Sequence, residues 1–188
     1  MKTKNIERYL NSFGKYIVQQ ARSNLTKAKK NVDKKLYNSI RFKVVPEGKN
    51  LVVQFYMLNY GKFVDKGVSG TKKSQTYKNY KGTVVSSPYK YTNKQPPSGI
   101  IEKWIKRKGL KGRVDKSWKS AGNKGGQFIS NKSFAFLIAR SIKKKGIKSL
   151  SFFQRPLGLG MQKFGSKLLG AVKEDVIDSL NETITQTN

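Results

Sequence analysis

The chain has no cysteine and no histidine, and only ten acidic residues among 188. Without cysteine, disulfides and thiolate metal sites are excluded, and nothing reports a redox compartment. Without histidine, the commonest general base and the commonest zinc ligand are missing. Long apolar runs are missing too. The longest island, residues 134–139, is far short of the ~20 residues that a membrane span needs. The first residues (MKTKNIERYLNSFGKYI) lack the continuous apolar stretch of a secretion signal. The expectation is a soluble protein made in the cytoplasm, with no membrane partner.

The few acids are also badly placed for chemistry. Glu7, Asp33, Glu47, Asp65, Glu102 and Asp115 are scattered among lysines, and no motif surrounds any of them. Paired-carboxylate catalysis and two-metal hydrolysis both need such groups brought together. Asp65 alone stands in a glycine-framed stretch, NYGKFVDKGVSG, where a turn or salt-bridge role is the simpler reading. These residues point away from an enzyme: no catalytic residue, no metal and no cofactor is expected.

What the chain has in excess is positive charge, +30 overall from 40 Lys and Arg. The distribution is lopsided. Forty basic residues against six acids leave +34 up to Lys173, whereas the last fifteen residues, with Glu174, Asp175, Asp178 and Glu182, carry −4. A body so charged repels its own copies unless polyanion or an acidic protein surface compensates.

Hydrophobic spacing then divides the chain. Over residues 4–30, Ile6, Tyr9, Leu10, Phe13, Ile17, Ala21 and Leu25 form one apolar stripe of an amphipathic helix, with Gly14 inside it. The charge run over 27–35 reads as a solvated helix end and turn, or as a phosphate-contacting edge. Residues 39–46 and 51–58 are β-rich and flank the turn Glu47-Gly48-Lys49-Asn50, which predicts a hairpin. Residues 59–70 suggest a short strand or tight turn. Residues 69–98 read as a hairpin excursion or loop, with Tyr77, Tyr80, Tyr89 and Tyr91 interleaved among lysines. That mixture suits phosphates and bases, or another protein surface.

Pro96-Pro97-Ser98 introduces a helix over 99–108, whose buried face is expected to be Ile100, Ile101, Trp104 and Ile105. Residues 110–130 read as an irregular basic loop around Trp118. The glycine pair there lacks the spacing of a phosphate-binding loop. Ser130 or Asn131 caps a helix over 132–145, apolar nearly all round until Lys143-Lys144-Lys145 and stopped by Gly146. Such a helix is expected to be sandwiched, within the core or between copies. Its three terminal lysines complement the helix dipole or face a partner. Phe152-Phe153-Gln154-Arg155-Pro156 leads into a last helix over 157–183, where glycines 158, 160, 165 and 170 would permit close helix contact.

In this order, the parts resemble those of tailed-bacteriophage head–tail joining, neck or tail-completion proteins. Tyr60…Val64-Asp65-Lys66-Gly67 resembles the family's Tyr…Val-Glu-Phe-Gly-Thr edge. FAFLIARSIKKKG over 134–146 is similar to its helix ending in Ile-x-x-x-Gly, and FFQRPL over 152–157 to its Pro-Phe-Phe-x-x-Ala lead into the last helix. The likeness covers most of the chain apart from residues 69–98 and 110–130. Here Lys66 stands for an aromatic, Val68 for Thr, and Ser151 for the Pro before the Phe pair.

The resemblance implies a single α+β domain, with a small antiparallel sheet flanked by an N-terminal helix, a central apolar helix and a long C-terminal helix. It also implies a structural virion protein without cofactor or catalytic residues, in a homo-oligomeric ring of roughly six or twelve copies. Its partners would be portal, adaptor or tail proteins, with non-specific contact to genomic DNA in the conduit. Phe134, Phe136, Leu137, Phe152, Phe153, Tyr60 and Asp65 are the expected assembly contacts. Lys72, Lys73, Lys78, Lys81, Lys143, Lys144 and Lys145 would face DNA phosphates or an acidic partner. The acidic end of the last helix is expected to meet the basic body of a neighbouring copy. The other reading is a stand-alone, sequence-independent nucleic-acid binder, although no helix-turn-helix, zinc module or RNA-recognition signature is present.

Overall fold

A computed structural model describes residues 4–30, 33–48, 50–114 and 125–186. The protein is α+β, with long N- and C-terminal helices and small antiparallel pairs of strands. It forms two compact units, where the sequence suggests one domain carrying an insertion: Met1–Lys66 with Tyr77–Val85 and Ser149–Asn188, and Gly67–Thr76 with Ser86–Lys148. The excursion over 69–98 is thus shared between them. Lys49, Val32, residues 115–124 (with Asp115, Trp118 and the lysines around it) and the side chains from Leu180 onward lie outside the described residues.

The first unit is built on helices α1 (Lys4–Lys27) and α6 (Gln154–Gln186) and on strands β1 (Arg41–Glu47) and β2 (Asn50–Tyr56). The stripe read in α1 does bury: Ile17, Ala21 and Leu25 are fully enclosed. Lys29, in the left-handed conformation (φ 54°), ends the helix, and the Lys30 N–H returns to the Leu25 carbonyl at 3.0 Å. Strands β1 and β2 pair antiparallel from Arg41↔Tyr56 to Glu47↔Asn50, as their alternation and turn predict. The Phe42 ring lies where a side chain at position 14 would stand, which accounts for Gly14 inside α1.

Two short helices, α2 (Lys35–Ser39) and α3 (Gly61–Lys66), complete this framework. The strand or turn expected over 59–70 is therefore helical at its centre, with the two-residue strand β3 (Val68–Ser69) following. Phe152 (fully buried) and Phe153 join Ile17, Leu25, Leu36 and Ile40 in one core. Around it, edge-on rings run from Phe164 to Phe13, Phe13 to Phe55 and Phe55 to Phe153. Strands β4 (Thr76–Lys78) and β5 (Val84–Ser86) form a hairpin whose residues 77–85 belong to this unit.

The second unit has a smaller interior. Helix α4 (Ser98–Lys108) packs on α5 (Asn131–Lys145) through Ile101 and Ile105 against Ala135 and Ala139. Ser130 caps α5, its Oγ accepting the Ser133 N–H at 3.1 Å, and Gly109 (φ 63°) ends α4. Strand β6 (Gly146–Ile147) pairs antiparallel with β3, Val68 opposite Ile147 and Ser69 opposite Gly146. The crossing is tight. A Cβ at Gly146 would strike the Val68 carbonyl, and one at Gly70 would strike the Lys144 carbonyl.

Candidate functional site

The residues nominated by sequence fall into three groups. The first lies at the C-terminal end of α5, where helix carbonyls are left without intrahelical partners. The segment after β3 supplies those partners: Thr71 N–H donates to the Lys143 carbonyl and Lys72 N–H to the Lys144 carbonyl, both at 2.9 Å, and the Gln75 amide donates to the Lys145 carbonyl at 2.7 Å. This backbone docking brings Lys72 and Lys73 beside Lys143, Lys144 and Lys145. Lys143 turns its ammonium to the Asn93 carbonyl at 2.7 Å, and the other four side chains are exposed. Dipole complementation and a cationic surface are here one arrangement.

The second group is apolar and also belongs to the second unit. Phe134 packs partly on the Ile101–Ile105 cluster, but Phe136 and Leu137 stay about half exposed (49% and 52%). Among the described residues, helix α5 is covered by α4 on one side and leaves Phe136 and Leu137 exposed on another. Sequence spacing misplaces part of α4: Ile100 (66% exposed) and Trp104 lie outside, because the alanines of α5 offer a seat only for Ile101 and Ile105. Phe128 is also exposed, with the Arg113 guanidinium 4.2 Å from its ring centre.

The third group belongs to the first unit and corrects several expectations. Phe152 and Phe153, expected at an assembly contact, are core residues. Asp65 is buried too. Its Oδ1 accepts the N–H groups of Phe153 (2.8 Å) and Gln154 (3.3 Å), so it caps the start of α6. Burial raises its carboxyl pKa, against the pull of those N–H groups and of Lys66. Tyr60 remains accessible, with its hydroxyl pKa raised by partial burial and by Asp33, against a lowering hydrogen bond from the Leu36 backbone.

The acidic end of α6 is likewise committed within the chain. Asp175 is buried and accepts the Asn5 and Ile6 N–H groups, each at 2.9 Å, capping the start of α1, while Asp178 holds the Asn5 amide. Burial disfavours the Asp175 carboxylate, but the N–H groups of Ile6 and Asn5 outweigh it and hold its pKa below the ordinary value. Removing residues 174–188 would therefore uncap α1 as well as delete charge. Of the four α6 glycines, 158 and 160 sit in close contacts, with Tyr80 and with Ile17 and Phe13 of α1. Glycines 165 and 170 face open space.

The same unit carries Lys78 and Lys81 on the β4–β5 hairpin. The hairpin is seated on the start of α6 by Lys78 N–H to Ser151 Oγ (3.3 Å) and Tyr80 N–H to Gln154 Oε1 (3.2 Å). That seat leaves a cleft between the hairpin and the first turns of α6, which Arg155 lines together with Lys78 and Lys81; no sequence motif marks Arg155. Its signal was only its place beside the Phe pair.

Among the described residues no group of three or more Asp or Glu could hold a metal ion, and no helix is long and apolar enough to cross a membrane. Comparison with known proteins finds no matching family model, no similar curated protein and no similar solved structure. The arrangement offers cations held on docked backbone and a helix face with exposed apolar side chains.

Proposed function

We propose that this chain is a structural virion protein, a ring-forming part of the head–tail connector of a tailed phage that bridges portal or adaptor to tail around the DNA. The observation that carries the reading is the open face of α5, with Phe136 and Leu137 half exposed beside a four-residue interior. Exposed aromatics of this kind mark a surface that another protein covers. Repetition of the chain around a ring covers it in every copy through one heterologous contact. The lysines at the end of α5 supply sequence-independent attraction to DNA phosphates or to an acidic neighbour. The order of sequence motifs supports a place at the head–tail junction of the virion.

Native mass spectrometry at moderate and high salt, without nucleic acid, tests this. The expected result is one discrete species of roughly six or twelve copies. A monomer at every salt concentration that shifts DNA steeply with salt contradicts it and favours the stand-alone nucleic-acid binder, for which the +30 charge is the specific support.

A further inference from the structure

Between the β4–β5 hairpin and the first turns of α6 lies a cleft of about 570 Å³, lined by Lys78, Asn79, Lys81, Arg155 and Gln162, among others. We infer that this cleft binds the phosphodiester backbone of DNA, a site that rests on the connector reading for its ligand but not for its geometry.

Three basic residues line it, and no carboxylate does among the described residues. Asp65, which caps the start of α6, is buried and turned to the Phe153 and Gln154 N–H groups. No salt bridge neutralises Lys78, Lys81 or Arg155 among the described residues. Charges of one sign gathered in a concavity focus the field on an incoming anion.

The backbone that carries the two lysines is fixed. Within the turn, Thr83 N–H donates to Asn79 Oδ1 (3.0 Å), Asn79 N–H to the Thr83 carbonyl (2.9 Å) and Gly82 N–H to the Asn79 carbonyl (3.0 Å). The Tyr80 carbonyl lies against Gly158 so closely that any side chain there would displace the hairpin. A fixed turn loses little freedom on binding. Arg155 supplies a planar fork for two phosphate oxygens, and the two lysines supply point charges beside it. Tyr80, with the Lys81 ammonium 5.9 Å from its ring centre, leaves an exposed aromatic face at the rim for a base.

The test compares two charge-matched triple variants of the full chain. Lys78→Gln/Lys81→Gln/Arg155→Gln empties the cleft. Lys15→Gln/Lys43→Gln/Lys167→Gln removes the same charge from exposed positions elsewhere in the first unit. A labelled 20-base-pair duplex is titrated by anisotropy across salt, and the mass of each protein is measured in the same samples. The cleft triple is expected to bind about tenfold or more weakly, with the slope of log K against log salt reduced by about 2–3, and the control by well under half of that. Equal losses in both triples would overturn the assignment, leaving diffuse charge as the cause. Loss of inorganic phosphate binding with duplex affinity intact would also overturn it, making the ligand a free phosphate. Should the triple not fold, Lys81→Gln alone, at an exposed turn position, is expected to weaken binding about two- to threefold, and no change would overturn the site. A monomeric wild type that still loses DNA with the cleft triple would remove the ring and keep the cleft.

Discussion

The two units solve the same problem, excluding water from apolar surface, to different degrees. The first buries whole large side chains, Ile17, Leu25, Ile40 and Phe152, and closes both of its long helices with buried acids, Asp175 on α1 and Asp65 on α6. The second buries two isoleucines on two alanines, with Phe134, Ile138 and Ile142 partly buried against them and Val68 buried at β3, and is tied by backbone hydrogen bonds at β3–β6 and at the end of α5. Its Phe128, Phe136, Leu137 and Ile100 stay in water. Burial contributes roughly 1.5–3 kcal/mol per large apolar side chain, so the first unit holds much of what it needs within itself. Both units leave apolar side chains in water: on α6 of the first, Leu159, Met161 and Leu169 are half exposed or more. The contrast between the two units therefore lies in the size of the interior.

That contrast can be broken first at Phe152. Phe152→Ala leaves a cavity in a fully enclosed site and should cost about 3–5 kcal/mol, measured by urea unfolding. Next comes the tight crossing of the second unit. Gly146→Ala places a Cβ at φ 78° against the Val68 carbonyl, and should cost more than about 1 kcal/mol. Hydrogen exchange should then show lost protection at 68–72 and 143–147, with α1 unchanged. Faster exchange in α1 instead would mean that the units do not fail separately.

Asp65 gives a smaller and pH-dependent effect. Asp65→Ala should cost about 1 kcal/mol as a lost cap, whereas Asp65→Asn keeps an acceptor for Phe153 and Gln154. A carboxyl raised in the folded state favours folding in its protonated form. Its contribution is full below the ordinary value of 3.8 and is lost as pH rises through the raised folded value. Asp175 runs the other way: lowered in the folded state, it contributes above 3.8 and loses that contribution as pH falls through its own lower value. Asp65→Asn should therefore flatten the decline in stability just above pH 3.8 that wild type shows, followed by thermal melts. An unchanged profile would show that Asp65 is not the titrating group.

The smallest change in stability is expected at the open face. Phe136→Ser with Leu137→Ser touches side chains already half in water and should alter the stability of the unassembled chain, compared at dissociating dilution, by no more than about 0.5 kcal/mol.

Much of this architecture is legible in sequence because it rests on period. The stripe of α1, the alternation of β1 and β2, and the Ser130 and Gly146 boundaries of α5 each follow from a local rule. Short or long-range features are not local. Six residues of α3 give too little periodicity to read, and the glycines around them argue for a turn. Phe152 and Phe153 look like contact aromatics until the cap from Asp65, 88 residues away from Phe153, fixes them inward. Helix α6 starts at Gln154, earlier than expected, because Pro156 is harmless in a first turn and Asp65 caps the residues ahead of it. The basic sites were visible as lysines, but not their grouping. Arg155 joins Lys78 and Lys81 only because the hairpin docks on α6, while Lys72 and Lys73 join the α5 lysines through carbonyls that no sequence pattern marks.

The most direct test of the central claim is the solution mass of wild type beside Phe136→Ser/Leu137→Ser, by light scattering at moderate and high salt. A discrete multi-copy species is predicted for wild type and a folded monomer for the variant, which still melts cooperatively but at a lower temperature than the assembled wild type, because assembly stabilises the fold by mass action. A variant that keeps the wild-type mass, or a wild type that is monomeric at both salt concentrations, would contradict it.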